Sequence, residues 1–327
     1  MELIILGSSA AIPVRERNLA STALKYKNEL LLFDCGEDLQ RSLVEAGLKF
    51  NKPLKILISH FHGDHIIGLP GLLFRFGLNQ RTAPVTIFGP VNLFLYLSVH
   101  RKVLGLNPHY PITVIEIDDK QKQLIIYESL DSDLPNKKLN MKENTIFDGE
   151  KYTLKYTLVD HSVLAFAYSF IEKKRNGKFN PEKVKELGIP ESNLWKKLQE
   201  GESIEYNGKL IDPIKESIVG PKKQGRKVTY SGDTAPCETL IELGKNSDVL
   251  IHEATFSKEL SDMAIEKKHS TATDAATDAK KMGAKQLVLT HISSRYKDES
   301  LLKLLEEAKE IFPNTLIAED LMRIEIK

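Results

Sequence analysis

The chain has 327 residues, enough for one large α/β domain or two smaller ones with a substantial buried core. Its hydrophobic content of 41%, its charged content of 28% and its formal net charge of +1 are ordinary for a globular protein. They exclude a strong overall attraction to nucleic acid or membrane, so any basic surface must be local.

The cysteine content and the opening residues bear on the compartment. The only two cysteines, Cys35 and Cys237, form no CxxC pair, so a disulfide framework is excluded and a reducing compartment is expected. Residues 1–7 contain too short an apolar run for a signal peptide, and no stretch approaches the ~20 apolar residues of a membrane span. We therefore expect a cytoplasmic protein.

Short apolar runs bounded by Gly, Pro and polar residues predict strands. In chain order they cover residues 3–6, 30–33, 54–58, 85–88, 112–117, 152–159, 163–171, 225–230, 249–251 and 286–290. Helical periodicity and glycine stop signals predict the longer helices at residues 37–46, 92–104, 271–282 and 300–311. Many strands followed by strand–helix alternation indicate an α/β fold in which sheet layers are covered by helices.

A histidine-rich run follows the predicted strand at residues 54–58. It reads Ser59-His60-Phe61-His62-Gly63-Asp64-His65, so three imidazoles and a carboxylate lie where a strand ends. His60 and His62 are one residue apart in extended chain and can hold one metal ion, while Asp64 and His65 can reach a second. The alternative is a histidine-rich surface loop. The concentration of three of the nine histidines in six positions favours the metal site.

Residues 171–227 differ in charge from the rest of the chain. They contain 14 Lys and Arg against 9 Asp and Glu, a net charge of +5. Asn180-Pro181 begins a predicted helix that Gly188 ends, and a second predicted helix carries Trp195. We interpret the stretch as a protruding, partly helical arm that grips a polyanion. The alternative is a solvated lysine-rich excursion.

Further polar residues lie at the ends of predicted strands. They are His161, Asp233, the pair His252-Glu253, and His291. Because ligands bind at the carboxyl ends of strands in layered α/β folds, we expect these residues to meet the histidine run in one cleft.

Two metal ions can be shared out among these side chains. His60, His62 and His161 would hold the first ion, Asp64, His65 and His291 the second, and Asp233 would bridge the two. Two ions ~3.5–4 Å apart activate water and stabilise the attacking and leaving oxygens of a displacement at phosphorus. Zinc is the default metal for such a site, with manganese and iron as alternatives. Because histidine ligands must be deprotonated, activity is expected to fall below neutral pH.

Three further histidines are not expected to bind metal. His100 and His109 lie in a predicted helix and a Pro-flanked loop, and we expect them to be structural or surface residues. His269 precedes Ser270-Thr271, the cap of the predicted helix at residues 271–282. Placed near the cleft and oriented by Glu253, it could donate a proton to a departing oxygen, although a structural role is the alternative.

These motifs, taken in order, resemble those of the metallo-β-lactamase superfamily. The series His60-Phe61-His62-Gly63-Asp64-His65, His161, Gly232-Asp233-Thr234, His252-Glu253-Ala254-Thr255, His269-Ser270-Thr271 and His291 is more narrowly similar to the ribonuclease Z family, which removes 3′ trailers from precursor tRNA. The opening Leu6-Gly7-Ser8-Ser9-Ala10-Ala11-Ile12-Pro13 with Arg15-Glu16-Arg17-Asn18 resembles that family's first motif. The resemblance spans nearly the whole chain.

The resemblance implies a four-layer αββα sandwich in a single domain, residues 1–327, with the arm inserted at about 171–227. It implies two zinc ions per subunit, Asp64 as an orienting base, and Glu253 and His269 assisting the leaving 3′ oxygen. It also implies a homodimer, in which the arm grips the tRNA elbow from the partner subunit. The loop with Arg15, Arg17 and Asn18 would lie near the tRNA 3′ end, and Arg295 near a phosphate.

The chain departs from the family pattern in the arm. Gly188-Ile189-Pro190 has no second Gly-Pro pair soon after it, so the contribution of Gly188 and Pro190 to tRNA binding is an expectation from resemblance alone. One alternative function is a hydrolase of the same fold acting on a small ester, such as a cyclic phosphodiester or an arylsulfate, which would not need the arm. Another is a non-catalytic RNA-binding subunit without metals.

Overall fold

The computed structural model describes residues 1–49, 51–174 and 176–327. The strands are β1 (Glu2–Gly7), β2 (Ser9–Ala10), β3 (Ser21–Tyr26), β4 (Glu29–Phe33), β5 (Leu54–Leu57), β6 (Val85–Pro90), β7 (Ile112–Asp118), β8 (Gln123–Tyr127), β9 (Lys137–Asn140), β10 (Thr145–Asp148), β11 (Tyr152–Leu158), β12 (Phe166–Glu172), β13 (Ile204–Tyr206), β14 (Lys209–Ile211), β15 (Lys227–Tyr230), β16 (Val249–Glu253), β17 (Leu287–Thr290), β18 (Ile292–Ser293), β19 (Thr315–Ile317) and β20 (Arg323–Glu325). The α-helices are α1 (Leu39–Glu45), α2 (Gly63–Ile66), α3 (Gly68–Leu78), α4 (Leu93–Leu104), α5 (Pro181–Glu186), α6 (Asn193–Gln199), α7 (Glu238–Gly244), α8 (Ser261–Lys267), α9 (Ala272–Met282) and α10 (Asp298–Lys309). A short 3₁₀ helix, Lys258–Leu260, precedes α8.

Two large sheets make up most of the molecule. One has nine strands in the order β20-β1-β3-β4-β5-β6-β7-β8-β9, and the other has seven in the order β10-β11-β12-β15-β16-β17-β19. The central strands β4 to β7 run parallel, as do β15, β16, β17 and β19. Their carboxyl ends therefore lie together at one edge of each sheet, where loops can bring polar side chains into contact.

The two sheets pack face to face through large side chains. The Tyr26 ring lies edge-on to Phe170 at 5.1 Å between centroids, and Phe33 lies 5.3 Å from Tyr230. Helices α1, α3 and α4 cover the nine-stranded sheet in one buried apolar cluster, and α7, α9 and α10 cover the seven-stranded sheet in another. The predicted four-layer αββα architecture is confirmed, because each amphipathic helix buries its apolar face on the nearest sheet.

The chain divides into two compact units, and the second comprises Glu150–Tyr152 and Ile171–Arg226. This second unit contains α5, α6 and the hairpin β13–β14 around its own apolar cluster of Val184, Ile189, Leu198, Ile204, Ile211, Ile218 and Val219. Helix α5 begins as predicted at Asn180-Pro181, and Gly188 follows it with a left-handed φ of 72°. That this stretch is an RNA-gripping arm inserted into a single domain stays a prediction.

The predicted elements differ from the observed ones in a few places. Strand β12 begins at Phe166, not residue 163, because Val163 and Leu164 lie in an exposed loop despite being apolar. Strand β16 continues through His252 and Glu253, which are buried. Several strands were not predicted, including β3, β8 and the hairpin β13–β14. None of the described helices is long and apolar enough to cross a membrane.

Candidate metal centre

Side chains from five separate stretches of the first unit meet in one place. Three of these stretches, with His60–His65, Asp233 and His291, follow the parallel strands β5, β15 and β17. Two groups have ligand atoms within 4.8 Å of one another, namely His60, His62, His161 and Asp233, and Asp64, His65 and His291. A third group, Asp233, His269 and His291, overlaps them. The structure therefore brings together all seven residues predicted to bind metal. Their role as ligands stays a prediction.

The ring nitrogens in each group face one another. Nε2 of His65 and Nε2 of His291 are 3.2 Å apart, and so are Nδ1 of His62 and Nε2 of His161. Two nitrogens bound to one tetrahedral zinc ion at 2.0–2.1 Å would be separated by about 3.3 Å. These spacings fit a shared cation.

Asp233 lies between the two groups. Its Oδ2 is 3.3 Å from Nε2 of both His65 and His291, and 3.7 Å from Nε2 of His60. Its Oδ1 and the His60 Nε2 are buried without a hydrogen-bond partner among the described residues. Buried polar atoms rarely lack partners, so these two atoms fit the coordination of an ion better than a closed protein core.

The opposite nitrogens of the histidine rings are held by hydrogen bonds. Nδ1 of His60 donates to Ser59 Oγ (2.9 Å), that of His161 to the Lys268 carbonyl (2.9 Å), and that of His291 to Thr255 Oγ1 (2.9 Å). Metal-binding histidines commonly have such partners, which fix the tautomer and direct the free nitrogen at the ion.

Asp34 is a positioning residue that the sequence analysis did not single out. Its Oδ2 accepts hydrogen bonds from His65 Nδ1, Ser59 Oγ and Tyr230 Oη, each at 2.7 Å, and its Oδ1 accepts from the Ser59 amide at 2.6 Å. It is fully buried at the end of β4. The sequence did contain a hint of this role, because Asp34 is an acidic residue directly after the predicted strand at residues 30–33.

The electrostatics of the site differ among its imidazoles. Burial would lower the pKa of His65, but the charges of Asp233 and Asp34 outweigh it and raise that pKa well above its ordinary value. Burial lowers the pKa of His60 and of His62, which keeps both rings neutral near pH 7. Burial would raise the pKa of Asp233, but the nearby His291 and His65 charges outweigh it and lower that pKa well below its usual range. Neutral rings and an ionised carboxylate are the forms that bind a divalent cation.

Glu253 and His269 form a pair beside the ligand groups. Glu253 Oε1 is 2.7 Å from His269 Nδ1, and the Glu253 carboxylate also accepts from the Thr234 amide at 2.8 Å and from Thr255 Oγ1 at 2.6 Å. Burial would lower the pKa of His269, but the charge and hydrogen bond of Glu253 outweigh it and raise that pKa to about 9. His269 is therefore protonated at neutral pH, with its Nδ1 engaged by Glu253.

The ligand groups open into a cavity of about 540 Å³. It is lined by Ala10, Ala11, Ile12, His62, Asp64, His161, Ser162, Asp233, Thr255, Phe256, Glu266, Lys267, His269, His291, Ser293, Ser294 and Arg295. Asp64 faces this cavity, and its Oδ2 accepts a hydrogen bond of 2.8 Å from the Ala11 amide. A volume of this size lies within the usual range for ligand-binding sites.

The residues predicted to bind substrate differ in exposure and in their distance from the cavity. Arg295 lines the cavity and lies over the Phe256 ring, 5.2 Å from its centroid. Arg15 is exposed, whereas Arg17 is only 7% exposed and the Asn18 side chain donates to Ser42 Oγ at 2.8 Å. Gly188 and Pro190 lie in the second unit. That these residues contact RNA stays a prediction.

The other histidines lie outside both ligand groups. His252 is buried, with its Nε2 3.6 Å from Asp278 Oδ2. His100 Nδ1 donates to the Tyr96 carbonyl within α4 at 2.8 Å, and His109 is exposed. The expectation that His100 and His109 are structural or surface residues agrees with these places.

Comparison with known proteins gives the family. Ribonuclease Z from Nitrosopumilus maritimus is 40% identical over 327 residues, covering 100% of both chains. Ribonuclease Z from Methanosarcina mazei is 38% identical over 100% of this chain and 98% of its own. The chain belongs to the ribonuclease Z family. This confirms the family resemblance of the sequence motifs and makes the protein an enzyme.

Family models and solved structures agree with this membership. A model described as "Beta-lactamase superfamily domain" matches residues 217–292, and one described as "Anti-Pycsar protein Apyc1" matches residues 1–107. The crystal structure of human tRNase Z, short form, is 28% identical with a TM-score of 0.67, covering 100% of both chains. A metallo-β-lactamase-fold protein from Bacillus subtilis, 16% identical with a TM-score of 0.62 over 99% of both chains, shows the shared fold alone.

Proposed function

We propose that this chain is an endoribonuclease that removes the 3′ trailer from precursor tRNA, leaving a 3′-hydroxyl on the tRNA and a 5′-phosphate on the trailer. The observation that carries the proposal is the pairing of His269 Nδ1 with Glu253 Oε1 at 2.7 Å, beside two groups of candidate metal-ligand side chains in one cleft. A ligand cluster alone would serve many hydrolases of this fold. Its combination with full-length similarity to proteins called ribonuclease Z supports RNA cleavage.

We propose zinc as the metal, with two ions per subunit and manganese or iron as alternatives. Six of the seven ligands are histidines or a bridging carboxylate, which zinc prefers, and the buried unpartnered atoms of His60 and Asp233 would be satisfied by an ion. When bound, a pair of divalent ions supplies activated water and stabilises charge on the attacking and leaving oxygens at phosphorus.

The side chains around this centre have separate roles in the proposal. Asp64, held by the Ala11 amide, orients the attacking water and accepts its proton. His269 has Nδ1 on Glu253, so its Nε2 is the atom that gives a proton to the departing 3′ oxygen. Glu253 fixes the ring and stabilises its protonated form. Water would add to phosphorus on the side opposite the bond to that oxygen.

We propose that the second unit binds tRNA and that it does so across a homodimer, on the tRNA of the partner subunit. The net charge of +5 over residues 171–227 supports attraction to a polyanion, and RNA helices are recognised mainly through shape and phosphates. Arg15 and Arg295 would contact the RNA 3′ end and a phosphate, and Gly188 and Pro190 would contact the tRNA through the arm.

The central experiment uses a trailer-bearing tRNA transcript labelled at either end. The purified protein is expected to yield one cut at the end of the acceptor stem, a trailer with a 5′-phosphate and a tRNA with a 3′-hydroxyl. Asp233→Ala should abolish cleavage and reduce the metal content measured by elemental analysis. Cleavage of a small phosphodiester without cleavage of the transcript would contradict the proposal and favour a small-ester hydrolase.

Mixing two inactive variants tests action across a dimer. Asp233→Ala lacks a working metal centre. The second variant replaces residues 179–219 by Asn-Gly and converts Lys174, Lys178, Lys222 and Lys223 to Gln, so that it lacks both the helices of the arm and its exposed basic residues. This excision is feasible because the Gly220 amide donates to the Lys178 carbonyl at 3.1 Å, so a two-residue turn can join the ends. Mixed and re-equilibrated variants should regain cleavage if the arm serves the partner's site. Failure to regain activity in proven heterodimers would contradict action across subunits.

A further inference from the structure

Arg17 is buried in a tight turn at the edge of the cleft. Val14 and Arg17 pair through two backbone hydrogen bonds of 2.9 and 3.2 Å, which turn the chain sharply between them. Arg15 and Glu16 at the tip of this turn are exposed, whereas Arg17 is 7% exposed. Arg17 lines a cavity of about 550 Å³ that is separate from the one beside the ligand groups.

The Arg17 guanidinium binds the backbone of a second turn, residues 293–296. Its Nη2 donates to the Ser293 carbonyl at 3.3 Å and to the Tyr296 carbonyl at 3.0 Å. The Tyr296 amide also donates to the Ser293 carbonyl at 3.1 Å, which closes the turn. A single nitrogen of Arg17 thus binds both ends of a four-residue turn.

The turn at residues 293–296 carries side chains of the cleft. It begins two residues after His291, and Ser293, Ser294 and Arg295 line the cavity, which Arg17 itself does not reach. Arg295 Nε donates to Ser293 Oγ at 3.1 Å. The position of Arg295 above the cleft is therefore set by the turn that Arg17 holds.

The far side of the same turn is held by Tyr296. Its hydroxyl accepts a hydrogen bond of 2.7 Å from the Ser257 amide, just beyond the segment that carries Glu253 and Thr255. The turn is thus fixed from two sides, by Arg17 and by Ser257. Both contacts lie outside the ligand groups.

The burial of Arg17 is costly for the fold. Its Nε is buried without a hydrogen-bond partner among the described residues, and its two contacts through Nη2 are to neutral carbonyls. A buried cation without a close ion pair stabilises a protein less than an apolar side chain of similar size. A residue kept at such a cost fits a role in placing the turn.

We propose that Arg17 is a positioning residue, which acts on RNA cleavage by holding the 293–296 turn and Arg295 in place and makes no contact with RNA itself. The expected effect of Arg17 on cleavage rests on the proposed function. The contact with the turn does not depend on that function.

The test compares Arg17→Gln with Arg81→Gln. Arg81 is a matched control because it is 4% exposed and also donates to backbone carbonyls, those of Lys52, Ala83 and Pro84, away from the cleft. Arg81→Gln should lose at least as much stability as Arg17→Gln, because Arg81 binds three carbonyls and lies 4.5 Å from the centroid of the Phe76 ring. Only Arg17→Gln should speed hydrogen exchange of the backbone amides at 293–296, and lower kcat on the transcript by about 10- to 100-fold with KM little changed.

Two further variants separate positioning from RNA contact. Tyr296→Phe releases the other side of the turn and should reproduce the loss of kcat, whereas Arg17→Lys should restore only part of it. The slope of log affinity against log salt concentration should stay at the wild-type value for Arg17→Gln. A slope smaller by about one, with KM raised and exchange unchanged, would show a direct phosphate contact and overturn the proposal.

The remaining outcomes also decide the question. Equal losses of kcat in Arg17→Gln and Arg81→Gln would reduce Arg17 to a stabilising residue and overturn the proposal. If the wild-type protein cleaves no RNA, the proposed function fails. In that case unchanged exchange at 293–296 would still refute the structural part of the inference, and faster exchange would support it.

Discussion

Several residues at the cleft have a left-handed backbone although they are not glycine. Ala11, Asp34, Lys268 and His291 have φ values of 60°, 60°, 54° and 55°. Such conformations cost about 1–2 kcal/mol each and persist where the surrounding contacts determine them. Here the Ala11 amide holds Asp64, the Lys268 carbonyl holds His161, and Asp34 holds His65. The local cost is offset by hydrogen bonds that orient the site.

Asp34→Asn should weaken metal binding without removing any predicted ligand. The asparagine amide has the size of the carboxylate but is uncharged. Its single oxygen would accept the hydrogen bonds from His65, Ser59 and Tyr230 more weakly than the Asp34 carboxylate does. Loss of such a partner typically costs about 10- to 100-fold in metal affinity. Competition against a chelator measures this loss. Asp278→Asn, which alters a buried carboxylate next to His252, is the control and should leave the affinity unchanged.

His269 gives a prediction on pH. Its pKa of about 9 lies above the ordinary value, so the stabilising charge pair with Glu253 is fully present below about pH 6.5. It is lost as the pH rises through about 9. Under single-turnover conditions, the wild-type cleavage rate should therefore fall as the pH passes 9.

The same residue can be tested through the leaving atom. His269→Gln should lower the rate by about 10²- to 10⁴-fold and remove the alkaline fall that His269 causes. A substrate with sulfur in place of the bridging 3′ oxygen needs no proton on departure, so it should restore much of the variant's rate. An equal defect on both substrates would refute the role of His269 as proton donor.

At the scale of the elements, the convergence of the site could be predicted because parallel strands end at a common edge. The apolar runs before His60, Asp233 and His291 identified β5, β15 and β17. β5 belongs to the nine-stranded sheet and the other two to the seven-stranded sheet, yet the residues that follow them meet in the ligand groups. The end of β16 was predicted two residues early because its last residues, His252 and Glu253, are polar and yet fully buried. Their burial depends on partners elsewhere in the chain, which a local pattern cannot identify.

Asp34 shows why part of the site could not be predicted. Its partners Ser59, His65 and Tyr230 are 25, 31 and 196 residues away along the chain, and none of them marks Asp34 locally. The burial of Arg17 could not be predicted either, since its neighbours in the sequence, Arg15 and Glu16, are exposed. Motif spacing could identify the ligands because their chemistry is distinctive. The residues that hold them depend on tertiary contacts.

Helix α9 offers a prediction at this scale. Thr271 Oγ1 accepts from the Asp274 amide at 3.1 Å, and the Thr271 amide donates to Asp274 Oδ2 at 3.0 Å, forming a capping box. Thr271→Ala should cost about 1 kcal/mol of stability and lower Tm by about 1–2 °C. Thr277→Ala, a change of the same kind inside α9, should have little effect, and equal losses in both variants would contradict the role of the cap.

At the scale of the whole chain, the positive charge of the second unit is unevenly distributed. Residues 171–178 and 220–227 together contain eight Lys and Arg and one acidic residue, whereas residues 179–219 contain six lysines and eight acidic residues. The described residues at both ends of the two basic segments are paired, since the Glu172 amide donates to the Arg226 carbonyl at 2.8 Å and the Gly220 amide to the Lys178 carbonyl at 3.1 Å. The basic surface therefore belongs to this paired segment and not to the helices α5 and α6.

This distribution predicts which lysines attract RNA. Lys174, Lys178, Lys222 and Lys223 are exposed on the paired segment. On α5 and α6, Lys183, Lys185 and Lys196 lie within 2.7, 3.6 and 3.9 Å of the carboxylates of Glu186, Glu182 and Glu200. Because these glutamates already neutralise their lysines, a phosphate gains less from them.

Two quadruple variants with the same change in net charge test this. One converts the four lysines of the paired segment to Gln, and the other converts Lys183, Lys185, Lys196 and Lys197 to Gln. Binding of the tRNA transcript measured between 50 and 200 mM salt should lose up to about 3 units of slope in the first variant and little in the second. Cleavage of a small phosphodiester should be unchanged in both, because the ligand groups and the cavity lining described above include none of these lysines. Equal slopes in the two variants would show that net charge, not its location, governs RNA attraction.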